Sequence, residues 1–127
     1  MKEITSILKN QNYQIKSSFW IEVEGKRCFG KGKMQLLELI EKTGSINKAA
    51  KEMKMSYKKA WTLINELNGQ FATPIIVTQS GGKEGGGTVL TDGAKQLMLY
   101  YTELNKRLEH FINNETKRIF ELNKNII

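Results

Sequence analysis

Residues 44–71 read GSINKAAKEMKMSYKKAWTLINELNGQF, and this stretch decides the fold. Its first part has apolar side chains at positions i, i+3, i+4 and i+7, which form one face of an α-helix: Ile46, Ala49, Ala50 and Met53. Small residues on such a face let a second helix pack closely across it. With Ser45 as its N-cap and Lys54-Met55 as a short connection, this segment predicts the first half of a helix-turn-helix.

The second helix of the pair is predicted over residues 57–71, with the hydroxyl of Ser56 capping its first turn. Its inward face is apolar and carries Ala60, Ile64, Leu67 and Phe71. We expect Trp61, which lies alongside this face, to belong to the core. The outward face offers hydrogen-bond donors and acceptors, as a helix in the major groove of DNA requires: Lys58, Lys59, Thr62 and Asn65.

Upstream of this pair, the sequence predicts a strand and a further helix. Residues 18–24, SFWIEVE, alternate between two faces, which is typical of a half-buried strand. Gly25, Gly30 and Gly32 then mark a loop. Residues 33–43 change to a helical period, with Leu36, Leu37 and Ile40 on one face and Thr43-Gly44 at the end.

Downstream, the sequence predicts a β-hairpin, here called the wing. Pro74, the only proline, is a stop signal after the second helix. Residues 75–79 and 88–90 read as two strands on either side of the glycine-rich loop at 80–87, SGGKEGGG. We expect the strand at 18–24 to pack beside this hairpin and extend it to a three-stranded sheet.

A long amphipathic helix is predicted over residues 92–122, with Thr91 as its N-cap. Its apolar side carries Leu97, Tyr101, Leu104, Leu108, Phe111, Ile112, Ile119 and Leu122. A helix that extends beyond its own domain needs a partner surface for this side. We expect the partner to be the same helix of a second subunit, with Leu97, Tyr101, Leu104, Leu108, Phe111 and Ile112 in the dimer interface.

The order of elements predicts a mainly α fold with a small antiparallel β wing, which is a winged helix-turn-helix followed by a long C-terminal dimerisation helix. We divide the 127 residues into an N-terminal tail (1–17), a DNA-binding domain (18–91) and a dimerisation helix with its tail (92–127). A chain of this size buries only about two-thirds of its unfolded surface. Extra burial in a homodimer therefore matters.

The charge of the chain is concentrated in one segment. The formal net charge is +7, and residues 26–59 hold ten basic and three acidic side chains. A focused basic segment indicates a polyanion partner, and we expect double-stranded DNA. Charge alone leaves open RNA and an ordinary solvated lysine-rich surface.

The sequence holds no constellation typical of an enzyme. The single cysteine, Cys28, has no histidine near it and reads as a small, half-buried apolar residue. The glycine-rich loop lacks the Gly-Lys-Ser/Thr ending of a phosphate-binding P-loop. We expect no catalytic residues, no metal and no cofactor. Without an apolar run of roughly 18–20 residues or a signal peptide, we expect no membrane segment and a cytoplasmic protein.

The residues also resemble a known family. The resemblance rests on Leu36-Leu37-Glu38, Gly44-Ser45-Ile46, Ala49-Ala50-Lys51, Met55 to Trp61, Ile64 to Asn68, Gly81-Gly82-Lys83, Gly85-Gly86-Gly87 and Leu90-Thr91. From Met34 to Tyr100 the chain is similar to the N-terminal domain of ModE-type, molybdate-responsive transcriptional regulators, a bacterial branch of the LysR-like winged helices. The resemblance implies DNA binding, regulation of transcription and dimerisation.

Two departures from that family matter. Its members often have glycine where this chain has Lys54, so we expect the turn to be strained or of another type. The molybdate-binding domains of full-length members have no counterpart in these 127 residues. We therefore expect no molybdate site within them.

The predicted DNA contacts lie on both helices of the pair and on the wing. They are Lys48, Lys51, Ser56, Tyr57, Lys58, Lys59, Thr62, Asn65, Gly82, Lys83 and Gly85. Asn65 is the candidate base reader, because an amide offers adenine both a donor and an acceptor. Tyr57 fits either a phosphate contact or the core. The alternative function is a protein-interaction module, which the polar, basic outward face disfavours.

Overall fold

A computed structural model describes residues 4–10, 12–79 and 87–124. The chain forms two compact units, a core unit of residues 19–100 and a terminal unit made of residues 1–18 and 101–127. In the described ranges the elements are α1 (Ile4–Ile7), β1 (Ile21–Val23), β2 (Lys26–Phe29), α2 (Lys31–Thr43), α3 (Ile46–Glu52), α4 (Tyr57–Gln70), β3 (Ile76–Gln79), β4 (Gly87–Leu90) and α5 (Asp92–Lys124). This order confirms the predicted winged helix-turn-helix.

Helix α2 supplies the centre of the core unit. Leu36, Leu37 and Ile40 are fully buried, as their spacing predicts. The helix begins at Lys31, two residues before the predicted start. It ends at Gly44, whose φ of 70° lies in the left-handed region and whose N–H donates to the Ile40 carbonyl at 2.7 Å. Glycine adopts this conformation without steric cost, which makes it the preferred residue at a helix end.

Helices α3 and α4 form the predicted helix-turn-helix. The Ser45 hydroxyl accepts from the Lys48 N–H at 3.1 Å, and the Ser56 hydroxyl accepts from the Lys59 N–H at 3.0 Å. Both serines are therefore the N-caps that the sequence predicts. Helix α3 packs against α2 and α4 through Ile46, Ala49 and Ala50, which are buried.

The turn between α3 and α4 closes as a Schellman motif. The Met55 N–H donates to the Ala50 carbonyl at 3.0 Å, and the Lys54 N–H donates to the Lys51 carbonyl at 3.1 Å. Lys54 stands at the position where this motif favours glycine, and its φ is +58°. A side chain with a Cβ is strained in this region. The prediction of a strained turn is confirmed.

The buried face of α4 corrects one expectation. Ala60, Ile64 and Leu67 are buried, as predicted, and the helix ends at Gln70, one residue before the predicted end. Trp61 does not belong to the core, because 42% of its surface is exposed. It sits one residue beyond buried Ala60, and successive helical residues are about 100° apart. That angle carries the indole out of the core.

The wing consists of β3 and β4, which pair antiparallel from Ile76 opposite Leu90 to Gln79 opposite Gly87. The sequence predicts the loop at 80–87; Gly87 belongs instead to β4, and residues 80–86 lie outside the described residues. Near the loop end of the hairpin, the Thr88 N–H donates to the Gly44 carbonyl at 2.9 Å. A backbone hydrogen bond therefore joins the wing to the turn between α2 and α3.

The strand predicted at 18–24 is shorter than expected and has a different partner. It covers Ile21–Val23 and pairs antiparallel with β2, so the described strands form two separate two-stranded sheets. The expected three-stranded sheet is wrong. Glu24 and Gly25, with φ of 50° and 77°, form a two-residue turn between β1 and β2. Such a turn gives β1 a local partner, and local pairing has a smaller loop-closure cost than pairing with the distant wing.

Strand β2 falls where the sequence predicts only a loop. Its exposed half is Lys26-Arg27 and its buried half is Cys28-Phe29, so it lacks the alternation typical of strands. Phe29 is fully buried, and β2 packs against α2 and α4. The β1–β2 hairpin thus covers one side of the helical core.

Helix α5 begins as predicted and continues two residues beyond the predicted end, to Lys124. The Thr91 hydroxyl accepts from the Ala94 N–H at 3.2 Å, which confirms Thr91 as the N-cap. The same hydroxyl donates to the Pro74 carbonyl at 2.7 Å. Thr91 therefore fixes the start of α5 to the segment that precedes the wing.

Candidate nucleic-acid interface

The outward face of α4 is polar and accessible. Lys58, Thr62 and Asn65 lie at i, i+4 and i+7, opposite the buried Ala60 and Ile64, and all three are exposed. Residues at this spacing share one face of a helix. The structure therefore brings together three of the four side chains that the sequence assigns to a major-groove surface, and the fourth, Lys59, is also exposed.

Positive charge surrounds this face. Lys48 and Lys51 on α3 and Lys58 and Lys59 on α4 are all exposed. The first turns of α2, α3 and α4 contain no acidic residue. The partial positive charge at each helix N-terminus is therefore not neutralised by an adjacent carboxylate, which favours an anionic partner such as a phosphate.

Two hydroxyl groups at the site already make hydrogen bonds. The Ser56 oxygen accepts from the Lys59 N–H, which leaves its O–H available as a donor to a phosphate. The Thr62 O–H donates to the Lys58 carbonyl at 2.9 Å. While this bond is kept, Thr62 offers DNA only acceptor lone pairs, which suit a base amine rather than a phosphate.

Two aromatic side chains lie on the edge of the same face. Tyr57 is 48% exposed and Trp61 is 42% exposed. Tyr57 is therefore not a core residue, which was one of its two interpretations. Sequence reasoning missed Trp61 as a surface residue, although its position four residues before Asn65 places it beside the outward face.

The predicted wing contacts, Gly82, Lys83 and Gly85, lie outside the described residues. The strands that carry them pair in a regular register that ends at Gln79 and Gly87. The predicted wing contacts therefore belong to the segment that connects Gln79 to Gly87.

The six predicted dimer residues differ in exposure within one chain. Tyr101 is buried, and Leu97, Leu104, Leu108 and Ile112 are half-buried. Phe111 is 61% exposed, which is unusual for a phenylalanine. Of the set, Phe111 has the largest uncovered apolar fraction.

Cys28 is buried, and its carbonyl accepts a hydrogen bond from a partly buried lysine that also pairs with an exposed glutamate. The Lys33 ammonium donates to the Cys28 carbonyl at 2.9 Å and lies 3.9 Å from the Glu66 carboxylate. Burial raises the pKa of the Cys28 thiol, and the nearby Lys33 charge only partly opposes this shift. A protonated, buried thiol is a poor nucleophile. Cys28 is thus more buried than the half-buried position that the sequence predicts.

Within residues 4–10, 12–79 and 87–124, no group of three or more histidine, cysteine, aspartate and glutamate side chains could hold a metal ion. Over the same ranges, no helix has the length and apolar character needed to cross a membrane.

The described elements define a class of protein. Three packed helices, with a capped turn between the second and third, followed by an antiparallel hairpin, constitute a winged helix-turn-helix domain. Residues 32–95, half of the chain, match the bacterial regulatory helix-turn-helix proteins of the lysR family. The chain belongs to this family.

Curated relatives are ModE proteins. The chain is 38% identical over 90 residues to the molybdenum transport protein ModE of Azotobacter vinelandii, which is 71% of this chain and 33% of that protein. It is 42% identical over 78 residues to the transcriptional regulator ModE of Haemophilus influenzae, which is 61% of this chain and 31% of that protein. It is 44% identical over 70 residues to the DNA-binding transcriptional dual regulator ModE of Escherichia coli, which is 54% of this chain and 26% of that protein.

The matched region thus spans about a third or less of each relative's length. It corresponds to the DNA-binding part, which confirms the resemblance seen in the sequence. Two of these relatives are named as transcriptional regulators, which agrees with the expectation of a non-enzymatic protein.

Proposed function

We propose that this chain binds double-stranded DNA in a sequence-specific manner and regulates transcription. The observation that carries the proposal is the outward face of α4, where Lys58, Thr62 and Asn65 are exposed together on a helix whose N-terminus is capped by Ser56. The lysR family match of residues 32–95 supports the same function.

In the proposed complex, α4 lies in the major groove. Asn65 reads adenine through a donor and an acceptor. Lys48, Lys51, Lys59 and the Ser56 hydroxyl contact phosphates, which position the protein without reading sequence. The wing, with Gly82, Lys83 and Gly85, lies on flanking DNA, where glycines let the backbone approach closely.

We also propose a homodimer formed through α5. Leu97, Tyr101, Leu104, Leu108 and Phe111 follow the alternating spacing of four and three residues that is typical of a coiled-coil seam. The exposed Phe111 and half-buried Leu104 and Leu108 support this interface. A twofold dimer would present its two α4 helices to half-sites about one helical turn of DNA apart, or a multiple of it.

The test is selection from a pool of random duplexes at near-physiological salt, followed by sequencing. Recovery of a palindromic site is the expected result, and its half-site spacing reports the distance between the two α4 helices. The salt condition matters, because low salt strengthens non-specific binding by any basic protein. A pool without any enriched sequence would contradict the proposal. We also propose a cytoplasmic location, because a regulator that binds DNA acts where bacterial DNA is found.

The alternative function, a protein-interaction module, has less support. Its strongest support is the exposure of Tyr57 and Trp61, because aromatic residues are enriched in protein interfaces. The lysines beside them are depleted in such interfaces. The same selection separates the two functions, because an interaction module recovers no preferred duplex.

A further inference from the structure

Trp61 is the apolar exception on a polar face. Its exposed fraction, 42%, nearly equals the 44% of Trp20, the other tryptophan of the chain. The exposed indole offers apolar surface that a partner can cover. Trp61 is therefore a candidate for direct contact with a bound partner of α4.

The neighbours of Trp61 indicate which partner that is. Tyr57 lies four residues before it, Lys58 three residues before it, and Asn65 four residues after it, so all four share one edge of α4. Tyr57, Lys58 and Asn65 are exposed as well. An indole flanked by a lysine and an amide, with no acidic residue in the first turn of α4, suits a polyanion with an apolar group.

We propose that Trp61 is a specificity-determining residue that contacts the 5-methyl group of a thymine in the major groove. This inference rests on the proposed function. Of the four bases, only thymine presents a methyl group in the major groove, and apolar side chains recognise it by contact.

The pairing with Asn65 strengthens the assignment. An asparagine amide matches the N6 and N7 edge of adenine, and thymine is the partner of adenine. Two side chains one helical turn apart on α4 thus fit A·T pairs by two different chemistries. The structure therefore assigns a preference for A·T pairs to the edge formed by Tyr57, Trp61 and Asn65.

The experiment replaces each thymine of the selected site by deoxyuridine, one position at a time, which removes only the 5-methyl group. For the wild-type protein we expect about fourfold weaker binding at one thymine of each half-site, the effect of uncovering about one buried methyl group. For the Trp61→Ala variant, replacing that thymine by deoxyuridine should leave the DNA affinity unchanged. Trp20→Ala is the matched control, because it removes an equally exposed indole outside α4, and it should keep the fourfold effect.

A second measurement uses fluorescence. Trp20→Phe leaves Trp61 as the only tryptophan, and its emission should change more with the selected duplex than with a scrambled duplex of equal length. The inference is overturned if no thymine substitution weakens the wild type, or if Trp61→Ala responds as the wild type does. Sequence-specific binding would survive both results. A wild-type protein that selects no site would overturn the proposed function and this inference together.

Discussion

At the scale of single residues, Lys54 shows how the chain keeps its helix-turn-helix geometry at an energetic cost. Its backbone is left-handed, with φ of +58°, because the Schellman motif needs that conformation to turn from α3 into α4. The Lys54 side chain makes no compensating hydrogen bond or ion pair among the described residues. Removal of this strain should therefore raise the stability of the folded protein.

Lys54→Gly should stabilise the protein by about 0.5–1 kcal/mol. Glycine removes the left-handed strain, and the larger conformational entropy that glycine loses on folding cancels part of this gain. Urea unfolding followed by circular dichroism measures the difference. Lys54→Ala is the control, since it removes the charge but keeps the Cβ, and it should bring no such gain. Equal stabilisation by alanine would show that charge and not backbone strain is responsible.

Asn65→Ala should weaken binding to the selected site by about 1–3 kcal/mol and relax the preference at one base position. The reason is that the alanine variant can neither donate to nor accept from adenine. Binding titrations on the selected site and on substituted sites measure the effect. Asn113→Ala, which removes an exposed asparagine of α5, should change neither the affinity nor the base preference. Equal losses on specific and random DNA would assign Asn65 to a general contact.

Single residues also mark where sequence reasoning ends. The caps Ser45, Ser56 and Thr91 could be predicted, because capping depends on chemistry within three residues. The exposure of Trp61 could not be predicted, because it depends on how far the neighbouring elements extend around α4. A tryptophan next to the apolar face of a helix can be either buried or exposed.

At the scale of elements, the long helices could be predicted to within two residues at each end, and β2 was missed entirely. Helices α2, α3 and α4 carry periodic apolar faces, which are local signals. Strand β2 has two exposed and two buried residues in a row, and its turn uses Glu24 where such turns favour asparagine or aspartate. Only tertiary packing of Cys28 and Phe29 makes it a strand.

The wing offers a test at this scale. Lys83→Ala should weaken binding to every duplex and reduce the slope of log K against log salt by about one unit, because one phosphate contact is lost. Titrations at several salt concentrations measure the slope. Lys95→Ala removes the same charge from the exposed start of α5 and should leave the slope unchanged. If both variants lower it equally, the effect is one of net charge and the wing makes no contact.

At the scale of the whole molecule, the open question is assembly. A double substitution, Leu104→Glu with Leu108→Glu, should convert the proposed dimer to monomers, because it places charges in the proposed apolar seam. Sedimentation measures the mass, and circular dichroism checks that the helices remain. Leu99→Glu is the control, since Leu99 is exposed on the opposite side of α5 and should leave the dimer intact. A dimer that survives the double substitution would place the interface elsewhere.

The bond between the Thr88 N–H and the Gly44 carbonyl has a consequence for how such a domain diversifies. Both groups belong to the backbone, so this bond depends on no side chain, and only proline at position 88 removes the donor. The loop between Gln79 and Gly87 is therefore free to change in length and charge while its root stays in place. In the proposed complex, DNA preference can therefore change in this loop, by evolution or by design, without rebuilding the helices that support it.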